Sequence, residues 1–112
     1  MVIDIINEFR NKNGKERIFC WNPVENGHCF QHCLYMANHG YLIHAPEVFR
    51  KDKAEAIAIS CFMEDNEKTI RYLLYECIGR SQEHKDIVLN YDNLAYGFYL
   101  HDYTAFLTIR GW

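Results

Sequence analysis

The sequence predicts an α+β fold, with a helical N-terminal two-thirds and a small C-terminal antiparallel sheet. Two patterns predict it. Through most of the chain up to Gly79, apolar residues recur every three or four positions, the spacing of helices with one buried face. From Tyr96 the stretch YGFYLHDYTAFLTI is dense in aromatic and β-branched residues, which suit pleated, half-buried strands. Helices first and strands after, rather than in alternation, mark α+β. At 112 residues the chain has room for one hydrophobic core, so residues 1–112 are read as a single domain.

The elements follow in order. Val2, Ile5, Ile6 and Phe9 fall at helical spacing, so residues 2–10 form a short helix. Asn13-Gly14 is a turn signal. Residues 17–21, RIFCW, are β-branched and aromatic enough for a short strand. Pro23 breaks any regular element. A helix then starts at Cys29, with Phe30, Cys33, Leu34 and Ala37 along one face and Gly40 as its C-terminal cap. Pro46 suits the first turn of a second helix running to about Phe62. Asp65 caps a third, because its carboxylate accepts from backbone N–H groups that lack helical partners. Ile70, Leu73, Leu74, Cys77 and Ile78 line that helix's buried face, and Gly79 ends it. Residues 87–89, IVL, read as a strand. The C-terminal stretch reads as two strands around a turn near His101-Asp102.

Composition bounds the function. Apolar residues make up 49% and charged residues 24%, as in soluble globular chains. The formal charge of −3, with Lys and Arg scattered, argues against non-specific binding to nucleic acid, which needs a basic face. The five cysteines (Cys20, Cys29, Cys33, Cys61 and Cys77) are odd in number and form no CxxC pair. A complete disulfide framework is therefore not expected, and a reducing cytoplasmic or nuclear compartment fits better. Residues 1–9 hold no long apolar run, so neither a signal peptide nor a membrane span is expected. A segment cut from a larger polyprotein would have the same features.

Residues 26–33, NGHCFQHC, crowd reactive side chains together. Cysteine attacks as its thiolate, and the first turn of a helix lowers a thiol's pKa through free N–H groups and the helix dipole. Placed at a helix start, Cys29 is a candidate nucleophile. Gly27 before it would let backbone approach a substrate, and the N–H groups of 26–29 could face an oxyanion. Two other readings of the cluster stay open. Cysteine is often a small buried hydrophobe, the more natural reading for Cys33. His28 and His32, like Cys29 and Cys33, are four apart and could share a face toward zinc. HExxH is absent, however, and no further pair at finger spacing follows, so no metal and no cofactor is assigned.

The stretch NPVENGHCFQHCLYMA resembles the active-site signature of the ovarian-tumour family of cysteine proteases, and also the compact viral proteases of that type. Gly27, Cys29, Phe30 and His32 match the signature directly. Asn26 stands where the family usually has Asp, and His28 where it often has Asn. The resemblance implies a papain-like fold and removal of ubiquitin or a ubiquitin-like modifier by acyl transfer through Cys29. It also implies an oxyanion or substrate-binding role for Asn26, Gly27 and His28. The family's base is a late histidine on or near a strand. Here that is His101, with Asp102 orienting it and Asp92 or Asn90 as alternatives. GFYLHDYTAFL can also correspond to an earlier segment of longer family members, which would put the base beyond Trp112 and leave this domain incomplete. The competing functions are a non-catalytic protein-binding module of the same fold and a small zinc-stabilised domain.

Overall fold

The computed structural model describes residues 1–18, 22–61 and 63–112. In chain order the elements are α1 (Val2–Lys12), α2 (Pro23–His39), α3 (Glu47–Arg50), β1 (Ala54–Ser60), α4 (Asn66–Arg71), α5 (Gln82–Leu89), β2 (Leu94–His101) and β3 (Thr104–Gly111). After α4 the chain continues as a π-helical segment, Tyr72–Cys77, and a 3-10 turn, Ile78–Arg80.

The three strands form one antiparallel sheet in the order β1-β3-β2. Ala58 and Phe98 both stand opposite Leu107, and Ile57 and Gly97 both stand opposite Thr108. Successive side chains point to opposite faces, so this register sorts the sheet into two surfaces. One carries Ala56, Ala58, Leu94, Leu107 and Ile109 and packs on Ile5, Ile6 and Phe9 of α1, on Ile70 to Ile78, and on Val88 of α5. The other carries Ile57 and Phe106, against Cys33 and Met36 of α2. Helices thus cover both faces. This explains why β3 is buried at every position from Ala105 to Gly111 and shows no polar alternation.

Polar side chains tie the layers together. Arg10 donates through Nη1 to the carbonyls of Val88 (2.6 Å) and Leu89 (3.2 Å). Those carbonyls close α5, where acceptors lack helical donors and the dipole favours a cation. Asn7 exchanges two hydrogen bonds with the Ile18 backbone, at 3.0 and 2.8 Å.

Several expected elements are confirmed. α1 buries Ile5, Ile6 and Phe9, Gly40 caps α2 in the left-handed conformation at φ 71°, and the Asp65 side chain accepts from Lys68 N–H. The C-terminal hairpin turns at Asp102 and Tyr103, both at positive φ.

Others are corrected. Pro23 does not break the chain; it is the first residue of α2, which therefore starts well before Cys29. Asn22 caps this helix by accepting from Glu25 N–H at 3.1 Å. Proline suits that position because its missing N–H would have no helical partner there. The helix expected from Pro46 to Phe62 is only α3, followed by β1. Lys51 and Asp52 both have positive φ, at 53° and 65°, which stops a right-handed helix, and AEAIAIS then pairs with β3. The sheet is therefore not confined to the C-terminal third. The IVL run lies in the last turn of α5, which is capped by Ser81. Of the strand expected at 17–21, residues 19–21 lie outside the described residues, and Arg17 and Ile18 are not in a strand.

Candidate functional site

Because α2 starts at Pro23, Cys29 lies in its second turn. A dipole stabilises an anion only within about the first turn. The residue is fully buried, at 0% exposure. Burial pushes its thiol up from the ordinary 9.0 to about 12, against a smaller opposing pull from the Arg110 charge. The cover is the backbone of β2. A Cβ added at Gly97 would lie 2.7 Å from Phe30 Cα and 2.5 Å from the Cys29 carbonyl carbon, so glycine is what lets strand and helix touch here. Cys33, one turn on, is equally sealed. Its thiol sits 3.3 Å from both the Gly97 carbonyl and Thr108 Oγ1, and burial pushes it too up to about 12.

His101 does not approach this sulfur. It ends β2 at the exposed hairpin tip, its Nε2 3.2 Å from Asp102 Oδ2 and its ring stacked on Tyr99. Four extended residues, about 13 Å, separate it from Gly97, where the strand meets Cys29. His101 and Asp102 are brought together, but in solvent and away from Cys29.

The residues expected to form the oxyanion hole are also engaged otherwise. Asn26 N–H donates to Asn22 O at 2.9 Å, inside the helix, and Asn26 Oδ1 accepts from Tyr96 N–H at 2.9 Å. Asn26 is thus a clamp on β2. Nothing lies within 4 Å of a Cβ added at Gly27, so no close approach requires a glycine there. His28 Nδ1 lies 3.6 Å from Glu25 Oε2. The two pairs spaced four apart face different directions: Cys29 and Cys33 toward the sheet, His28 and His32 away from it. Among the described residues no three His, Cys, Asp or Glu side chains gather as metal ligands.

The outward face of α2 borders a cleft of about 450 Å³. α2 contributes His28, Gln31, His32 and Tyr35. The opposite wall is the segment 45–51, with Pro46, Val48, Phe49 and Lys51. Arg110 rises between them from β3. Its side chain is 3% exposed, and its Nε donates to Glu55 Oε2 at 2.9 Å. Glu55, fully buried on β1, also accepts through Oε1 from Ala45 N–H (2.9 Å) and pairs there with His44 Nδ1 (3.0 Å). One carboxylate thus fixes the guanidinium and anchors the cleft's second wall. Arg50 Nε donates to Ala45 O at 2.7 Å, closing that wall on itself. His32 lies 2.6 Å from Ile43 O and holds the connecting loop to α2.

Sequence reasoning missed this site. The available signal was a Glu within AEAIAIS and an Arg within AFLTIRG, single charges in otherwise apolar strands, which are costly unless paired.

No family model matches the sequence, and it has no significant match among curated proteins. The likeness to the ovarian-tumour signature rests on the stretch around Cys29 alone. Among the described residues no helix is long and apolar enough to cross a membrane.

Proposed function

We propose that this protein is a non-catalytic binding domain and that the cleft between α2 and residues 45–51 is its ligand site. The observation that carries this reading is the convergence of Arg110, Lys51, His28 and Gln31 on a cleft of about 450 Å³ with apolar walls. Ligand sites are typically concavities of a few hundred Å³, apolar in the main, with a few placed polar groups. Cys29, by contrast, is enclosed and has a thiol that resists ionisation. Titration of the protein with a fragment library, followed by two-dimensional amide NMR, tests the site. Shifts should cluster at residues 28–35, 45–51 and 110, and clustering elsewhere would overturn the assignment.

The second reading is a thiol protease of the ovarian-tumour type that acts on ubiquitin or a ubiquitin-like modifier through Cys29. In its favour, the helix bearing the signature lies across an antiparallel sheet. It requires α2 to lift from β2 and a base other than His101 in its present place. Ubiquitin carrying a C-terminal electrophile should form no adduct. An adduct that is lost in Cys29→Ala would establish the protease and displace the binding reading.

A further inference from the structure

We propose that the cleft takes a small carboxylic acid with an aromatic or branched apolar body, its carboxylate held by the Arg110 guanidinium. The inference rests on the cleft being the ligand site, and adds the class of ligand.

Charge is the first argument. The cleft lining holds two cations, Arg110 and Lys51, and not one carboxylate. The chain as a whole carries 15 acidic and 12 basic residues, so a lining without acids runs against its composition. The potential inside the cleft favours an anion.

Donor geometry is the second. Arg110 is 2% exposed, and its Nε is committed to Glu55. Among the described residues its two Nη groups have no hydrogen-bond partner, yet neither is sealed inside protein, while the residue lines the cleft. Guanidinium N–H groups left without acceptors in a low-dielectric setting cost free energy, and a carboxylate satisfies two of them at once through parallel bonds. Glu55 behind the guanidinium holds its plane and offsets its charge. With Glu55 offsetting Arg110, Lys51 is left as the one surplus cation of the lining, a charge that a monoanion matches and a dianionic phosphate exceeds.

The walls are the third. Tyr35, Pro46, Val48 and Phe49 border the cleft with apolar surface, and Val48 and Phe49 are 74% and 68% exposed. A ligand body that covers them gains hydrophobic stabilisation in proportion to the area removed from water.

The test is titration of the intact protein with benzoate, phenylacetate and 3-methylbutanoate, each against its neutral amide, and with inorganic phosphate. Binding is read from the amide resonances of His28, Phe49 and Arg110. The acids should bind about ten-fold or more tighter than the amides, the worth of a charge-assisted hydrogen bond. Lys51→Gln should weaken the acids and leave the amides unchanged. Equal binding of acids and amides in the cleft overturns the carboxylate assignment and leaves the cleft as the ligand site. Phosphate that binds as tightly as benzoate, and competes with it, overturns the monoanion. A short peptide with a free C-terminal phenylalanine that binds far tighter than phenylacetate overturns the small-acid assignment in favour of a chain end. Failure of every probe to shift the cleft overturns the carboxylic-acid assignment, and the fragment titration then decides whether the cleft is a ligand site at all.

Discussion

His28 and Cys29 are neighbours on α2, about a hundred degrees apart around its axis, and their surroundings could hardly differ more. The face with Cys29, Cys33 and Met36 lies on the sheet with no access to solvent. The face with His28, Gln31 and Tyr35 opens onto a cleft floored by a buried ion pair. Residue type draws attention to the Cys29 side of this helix, and the cleft lies on the other. A thiol and an imidazole carry the same intrinsic chemistry anywhere, but burial pushes the Cys29 thiol up to about 12, while the open face borders an arginine from far off in the chain.

The largest expected effect separates the two faces at Arg110. Arg110→Met leaves the Glu55 carboxylate buried without its cation, and losing one member of a buried pair typically costs about 3–5 kcal/mol. Here Ala45 N–H and His44 still contact Glu55, so a loss of about 3 kcal/mol in urea unfolding is expected. The double variant Glu55→Leu/Arg110→Met should recover much of that loss, because it leaves no unpaired charge. If the single variant is as stable as the parent, the ion pair does not organise the cleft.

Gly97→Ala attacks the sealed face. Its methyl would meet Phe30 Cα at 2.7 Å, and that is helix backbone rather than a side chain able to rotate away. Overpacking of this sort costs about 2 kcal/mol. The same displacement should make Cys29 reactive toward iodoacetamide under native conditions. In the parent, Cys61, exposed in the loop after β1, should react before Cys29, Cys33 and Cys77. Unchanged stability in Gly97→Ala would mean that helix and strand are not in the contact described.

How much of this was legible beforehand depends on whether the signal was local. The C-terminal hairpin, the Asp65 cap and the Gly40 cap were readable because turn and cap chemistry are settled within a few residues. The start of α2 was readable but misread. Asn22-Pro23 followed by Glu25 is a helix opening, and taking Pro23 as a breaker moved Cys29 artificially into the first turn. β1 was not readable from its own residues, since Ala, Glu and Ile suit a helix equally well. It is a strand because β3 supplies a partner fifty residues on, and because Lys51 and Asp52 turn the chain left-handed. The cleft was the least legible feature. It draws on α2, on the segment 45–51 and on β3, and only the tertiary fold brings Arg110 beneath His28.

A smaller effect appears only in alkali. Burial raises the thiols of Cys29 and Cys33 to about 12, above their ordinary 9.0. Below pH 9 both states hold the protons and the thiols contribute no pH dependence. Between pH 9 and about 12 the unfolded chain releases them while the folded chain keeps them, so stability falls as pH rises. By pH 10 the loss is on the order of 1 kcal/mol for each thiol. Thermal unfolding from pH 7 to 10.5 should show this slope, and the Cys29→Ala/Cys33→Ala variant should flatten it. A slope unchanged in that variant would mean the thiols are not shielded in the folded state.

The smallest effect is the most discriminating at the edge between the two faces. Asn26 can act as a clamp on Tyr96 or as part of an oxyanion hole, and these roles differ in what aspartate does. Asn26→Ala removes the acceptor of the Tyr96 N–H bond at an edge strand that water can partly reach, so about 0.5–1 kcal/mol of stability should be lost. Asn26→Asp keeps an oxygen in the same place, and its carboxylate still accepts from that N–H. A clamp therefore predicts that Asp restores most of what Ala loses, with Cys29 unreactive in both variants. An oxyanion role predicts instead that both leave stability alone and change only the rate at which Cys29 is acylated.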